Sequence, residues 1–199
     1  MSLAVSFFEL DMGRQVSPIV MASDAQGGSV DDHGGFGVVC QQLEPQLAER
    51  CFRAGTAPRL SVCTLDGEAR VLKFPERALS RTKPRTALPA EVFKDPAKWC
   101  ELQWGRWKWT DHITLGEGRG ATHMLEVAAS HPALRRHIVV SLQDNQAFAG
   151  AVAKGRSTSV ALNFILRRIS ALSVAANLRC VFPWTQSPLM PADDLSRRR

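Results

Sequence analysis

The chain has 199 residues, 45% of them hydrophobic, which suits one sizeable domain with a real core. Its formal net charge of +6 and pI near 9.4 point to a polyanionic partner, nucleic acid first and an acidic membrane surface second. No apolar run reaches roughly 18 residues, which excludes a membrane-spanning helix.

The opening "MSLAVSFFELDMGR" has a short apolar run broken by Glu9 and Asp11, with no basic region ahead of it, and does not fit a signal peptide. Residues 1–17 read as a lead-in to a single domain over 18–199. "PIVMASDAQGG" predicts a strand over 18–22 that ends near Asp24. Gly27, Gly28, Gly34 and Gly35 suit a hairpin turn, and "FGVVC" reads as the returning strand. Residues 41–57 predict a helix, and "RLSVCTL" another strand. Prolines at 75, 84, 89 and 96 and the basic cluster "RALSRTKPR" mark 66–100 as loop-rich, so that about 41–103 reads as an insertion. "ELQWGRWKWTDHITL" predicts a strand with alternating aromatics, and "EGRGATHMLEVAASHP" a helix stopped at Pro132, weakened in its first turn by Gly118 and Gly120.

"HIVVSLQDN" places a buried strand at 138–142. "NQAFAGAVAKG" follows as a short helix closed by Gly155. "STSVALNFILRRISALSVAANL" is a long helix capped by Ser157 or Ser159. Leu162, Ile165, Leu166, Ile169, Leu172 and Ala176 share one face. "RCVFPW" predicts the last strand and "PADDLSRRR" a polar, partly helical end. This order predicts an α/β fold, a mixed sheet covered by helices. The cysteines at 40, 51, 63, 100 and 180 contain no CxxC pair, which excludes a thioredoxin motif and argues against a zinc site. Their odd number predicts reduced thiols and an intracellular location, cytoplasmic or nuclear.

Four carboxylates stand out by position: Asp24, Glu117, Asp144 and Asp193. Strand C-termini in α/β sheets gather along one edge, the usual place for a ligand site. Carboxylates converging there repel one another unless a cation lies between them, and hard oxygen ligands suit Mg²⁺. Against this stands the plainer reading of Asp144 as a turn or cap residue. Trp104, Trp107 and Trp109 read first as sheet packing and second as a base-stacking platform. His112, His123, His131 and His137 show no metal-ligand spacing.

The segments "SDAQGG…GGFGVV", "HITLGEGRG", "VVSLQDNQAFAGAVAKGRS" and "PADDLSR" together resemble the ribonuclease H domain of retroelement polyproteins, DIRS-like elements above all. The resemblance covers roughly 18–40 and 104–197. Asp24 matches the aspartate of the T-D-A-S segment and Glu117 the glutamate of H-I-N-x-L-E. Asp144, Asn145, Lys154, Gly155, Arg156 and Ser157 match D-N and K-G-R-S. Ala192, Asp193, Leu195, Ser196 and Arg197 match A-D-x-L-S-R. Departures are Ser23 for Thr, Gly116 for Leu, Met190 for Asn, and no histidine between Asp144 and the last motif. Either Asp193 or Asp194 fits the fourth carboxylate.

The resemblance implies a ribonuclease H-like five-stranded mixed sheet with helices on both faces. It implies hydrolysis of the RNA strand of an RNA–DNA hybrid with two Mg²⁺ ions (Mn²⁺ as a substitute), beside an upstream reverse transcriptase domain. Asp24, Glu117, Asp144 and Asp193 would hold the metals. Asn145, Lys154, Arg156, Ser157 and Arg197 would hold nucleic acid. A degenerate nucleic-acid-binding remnant, a DNA nuclease or transposase of the same superfold, and a basic protein-binding domain are the alternatives.

Overall fold

The computed structural model describes residues 13–28, 33–56 and 88–198. Five strands form one sheet: β1 (Val16–Gln26), β2 (Gly35–Gln42), β3 (Cys100–Arg106), β4 (Ile138–Leu142) and β5 (Arg179–Val181). Their order is β3-β2-β1-β4-β5. β1–β2 and β2–β3 are antiparallel, whereas β1–β4 and β4–β5 are parallel. The helices are α1 (Pro45–Thr56), α2 (Ile113–Ser130), α3 (Gln146–Lys154), α4 (Val160–Ala175) and α5 (Asp193–Ser196). The expected mixed five-stranded α/β architecture is therefore present.

Alternation along β1 divides the core. Met21 faces a cluster with Met124, Leu125, Phe148, Leu166 and Ile169, from α2, α3 and α4. Val20 and Ala22 face a second cluster with Ala48, Cys51, Val92, Met190 and Leu195, from α1, α5 and their flanks. Both faces of β1 and β4 are thus covered, which explains why Ile138–Leu142 is buried throughout. Met190 is an apolar anchor for the segment ahead of α5.

α4 buries Leu162, Leu166 and Ile169, while Ile165 and Leu172 pack at the margin. Each fully buried side chain of this kind contributes roughly 1.5–3 kcal/mol. The Ser159 hydroxyl caps α4 by accepting from Leu162 N, and Gly155 ends α3 with φ +68°. At the β1–β2 turn only Gly34, of the described glycines there, takes positive φ, at +76°.

Several boundaries differ from expectation. β1 begins at Val16, inside the presumed lead-in, and runs past Asp24 to Gln26; Pro18 stands where its pairing with β4 is irregular. Residues 41–42 belong to β2, and α1 starts only at Pro45. The stretch 101–115 is no single strand. β3 stops at Arg106, and α2 begins at Ile113, where the His112 ring accepts from Thr114 N. The glycines of α2 serve close packing. A Cβ at Gly118 would stand 2.9 Å from Ile165 Cγ2, and one at Gly120 would stand 3.4 Å from the Asp24 carbonyl oxygen. The predicted strand "RLSVCTL" and the cluster "RALSRTKPR" lie outside the described residues. The expected insertion over 41–103 is narrower than predicted: 41–42 belong to β2, Pro45–Thr56 to α1 and 100–103 to β3, while 88–99 forms two short 3₁₀ turns and sends Val92 into the core.

Candidate metal centre

β1 and β4 are parallel neighbours with Ala22 opposite Leu142. Two residues further along, Asp24 and Asp144 reach the same edge of the sheet. α2 crosses that edge and supplies Glu117 from its second turn. Carboxylate oxygens of Asp24, Glu117 and Asp144 all lie within 4.8 Å of one another. The triad opens into a cleft of about 340 Å³ that Asn145, Asp193 and Arg197 also line.

Asp24 and Glu117 are almost fully buried. Burial, then the neighbouring carboxylates Asp24 and Asp144, push the Glu117 carboxyl up to about 10. Burial raises Asp24 to about 6, although a hydrogen bond from Ser196 opposes the rise. The Ser196 hydroxyl donates to Asp24 Oδ2 at 2.6 Å. Glu117 Oε2 is buried and has no hydrogen-bond partner. An orphaned oxygen among converging carboxylates is the chemistry that a divalent cation satisfies, and an all-oxygen set suits a hard ion. The residues therefore fit a metal such as Mg²⁺.

These shifts fix the sign of the pH dependence. Both folded-state pKa values lie above the ordinary carboxylate range, so the metal-free folded protein binds more protons than the unfolded chain. The stability this carries is complete below about pH 4. It is lost as pH rises through about 6 for Asp24 and about 10 for Glu117.

The other expected site residues divide. Asn145 lines the cleft and caps α3, accepting from Phe148 N at 3.0 Å. Asp193 lines the cleft, whereas Asp194 is exposed. Asp193 stands outside the close triad, and Arg197 binds its Oδ1 through Nε and Nη2 at 2.9 and 2.7 Å. The i,i+4 spacing of Asp193 and Arg197 on a short helix was a readable signal for that pair. Lys154 and Arg156 are exposed and do not line the cleft. Ser157 is spent on structure: its backbone N–H donates to Asn163 Oδ1, and its hydroxyl accepts from Ser159 N.

Compared with known protein families the chain matches none, and no curated protein matches it significantly.

Two residues support the triad in ways the sequence did not show. Ser196, read only as part of the last motif, is seated against Asp24. Gln143, given no role from sequence, is fully buried between the two aspartate-bearing strands. Its amide donates to Ser23 Oγ at 2.8 Å and Ser141 Oγ at 3.2 Å. Its backbone pairs with Pro183 and Thr185. Gln143 thus ties β1, β4 and the β5 exit together one residue before each aspartate. Gln143→Leu is expected to cost about 1–3 kcal/mol by leaving buried hydroxyls without their donor. Urea unfolding of the metal-free protein measures it; an unchanged midpoint would contradict the assignment.

Among the described residues no helix is long and apolar enough to cross a membrane. The four described cysteines are free thiols.

Proposed function

We propose that this chain is a metal-dependent nuclease that hydrolyses the RNA strand of RNA–DNA hybrids, as the ribonuclease H component of a reverse-transcribing element. The observation that carries the reading is the triad: carboxylates from β1, α2 and β4 within 4.8 Å, one oxygen buried without a partner, at the strand ends of a β3-β2-β1-β4-β5 sheet. The four sequence motifs and the +6 charge support it.

Asp24, Glu117 and Asp144 would hold the Mg²⁺ that, when bound, supplies an activated water and offsets charge on the leaving oxygen. Ser196 keeps Asp24 turned toward the cleft through its hydrogen bond. Asn145 spends its carbonyl oxygen on the α3 cap, which leaves its amide nitrogen as the donor for a bound strand. Arg197, anchored by Asp193 on the cleft wall, would face a phosphate of the bound strand. Such contacts give salt-dependent affinity rather than sequence choice.

Substrate preference separates this reading from a DNA nuclease or transposase of similar architecture. Matched duplexes with one ribonucleotide-containing strand, all-DNA and all-RNA are incubated with Mg²⁺. Cleavage confined to the RNA strand opposite DNA is expected. Cleavage of the all-DNA duplex at a comparable rate would overturn the substrate assignment while keeping a metal nuclease. An upstream reverse transcriptase domain is the expected partner.

A further inference from the structure

The rim of the cleft carries an aromatic group that the metal-centred reading leaves unused. β3 runs in the same direction as β1, because both are antiparallel to β2. β3 therefore ends at the sheet edge that holds Asp24 and Asp144. The connection from β3 to α2, residues 107–112, lies along that edge. Its two tryptophans have opposite fates. Trp107 packs inward, its ring 4.9 Å from that of Phe36. Trp109 faces out and is 55% exposed.

Trp109 is nonetheless held in place. Its indole Nε1 donates to Asp111 Oδ2 at 3.1 Å. The Arg119 guanidinium lies 5.7 Å from its ring centroid, and Arg119 pairs with Asp111. Arg119 is two residues beyond Glu117 on α2. Asp111 and Arg119 line a crevice that shares Gln26, Gly27 and Ile113 with the acidic cleft, so the two adjoin. The crevice holds only about 10 Å³, too little for a base, which leaves the outer face of the indole as the contact surface.

An indole kept in solvent by a two-residue clamp gains little from core burial. It offers a rigid flat surface whose ordering cost is already met by folding. The flanking charge is mainly cationic, from Arg106, Lys108 and Arg119 against Asp111, which favours an anionic strand over an apolar protein segment. We infer that Trp109, clamped by Asp111 and Arg119, is a stacking platform for an unpaired nucleobase flanking the hybrid bound at the metal cleft. The inference rests on the proposed nuclease reading.

The test compares Trp109→Ala and Trp109→Phe by anisotropy with a labelled RNA–DNA hybrid that carries a single-stranded overhang, across a salt series, in the Asp144→Asn background, with cleavage followed in the wild-type background. Trp109→Ala is expected to weaken binding about five- to a hundredfold, the range for loss of one stacked base. Trp109→Phe should recover most of it, and the salt slope should not change, because stacking releases no counterions. A wild type that cuts the hybrid, with Trp109→Ala equal to it in affinity and KM, would overturn the platform alone. A loss that Phe does not recover, or one with a shallower salt slope, would also overturn it. A wild type that neither binds nor cuts hybrid would overturn the nuclease reading and the platform together.

Discussion

Asp144→Asn is expected to lower Mg²⁺-dependent cleavage at least about a hundredfold, a loss on the scale seen when metal sites are damaged, with the fold intact. The change keeps shape and removes one negative oxygen from a set of three that meet within 4.8 Å. The side chain is only half-buried at the exit of β4, and its backbone carbonyl, not its carboxylate, accepts from Trp184 Nε1 at 2.7 Å. Nothing in the packing therefore requires the charge. The cation should feel its loss directly. At a hundred times its dissociation constant, a bound ion adds about 2.7 kcal/mol. That raises the wild-type melting temperature by about 5–10 °C in a chain of this size. Asp144→Asn should lose most of this increment. Thermal melts with Mg²⁺ and with EDTA, read beside the cleavage rate, check both halves. A full Mg²⁺ increment in the variant would contradict the ligand assignment.

Glu117→Gln is expected to act in opposite directions on stability and on metal binding. In the metal-free protein burial holds the Glu117 carboxyl protonated up to about 10, against an ordinary value near 4.5. Between those limits folding takes up a proton, at a cost of about 1.4 kcal/mol for each pH unit above the lower one. Gln supplies a permanently neutral side chain of the same size and avoids that cost. The metal-free variant should be more stable than wild type by on the order of 3 kcal/mol at pH 7 and nearly level with it at pH 4. With Mg²⁺ the order should shift toward the wild type, since the variant lacks the ligand. Urea melts at pH 4, 7 and 9, with and without Mg²⁺, measure the crossover. Equal stability of the two metal-free proteins at every pH would show that Glu117 is already ionised and satisfied.

The central layer of the fold was legible because its signals are local. The run Ile138–Leu142, the α4 stripe and the Gly155 stop each depend on periodicity or on one backbone conformation, and each appears in place. Asp24, Glu117 and Asp144 were legible by position, since strand ends and helix starts converge at a sheet edge. What failed to show was tertiary. β1 extends past the readable apolar run because Ser23 and Asp24 are buried by partners distant in sequence, Gln143 and Ser196. α2 starts early on a histidine cap, a residue outside the usual capping set. Asp193 is equivalent to the other three in sequence position, and only the fold brings out that Arg197 occupies its carboxylate. The alternating tryptophans gave no hint of which face each would take, because the alternation belongs to a strand that ends before two of them.

The most direct measurement is incubation of the purified chain with an RNA–DNA hybrid labelled on its RNA strand, with Mg²⁺ or EDTA, beside Asp144→Asn. Cutting of the RNA strand is expected to require Mg²⁺ and to fall at least about a hundredfold in the variant. RNA that stays intact with Mg²⁺ present, or cutting that persists in EDTA or at full rate in Asp144→Asn, would contradict that expectation.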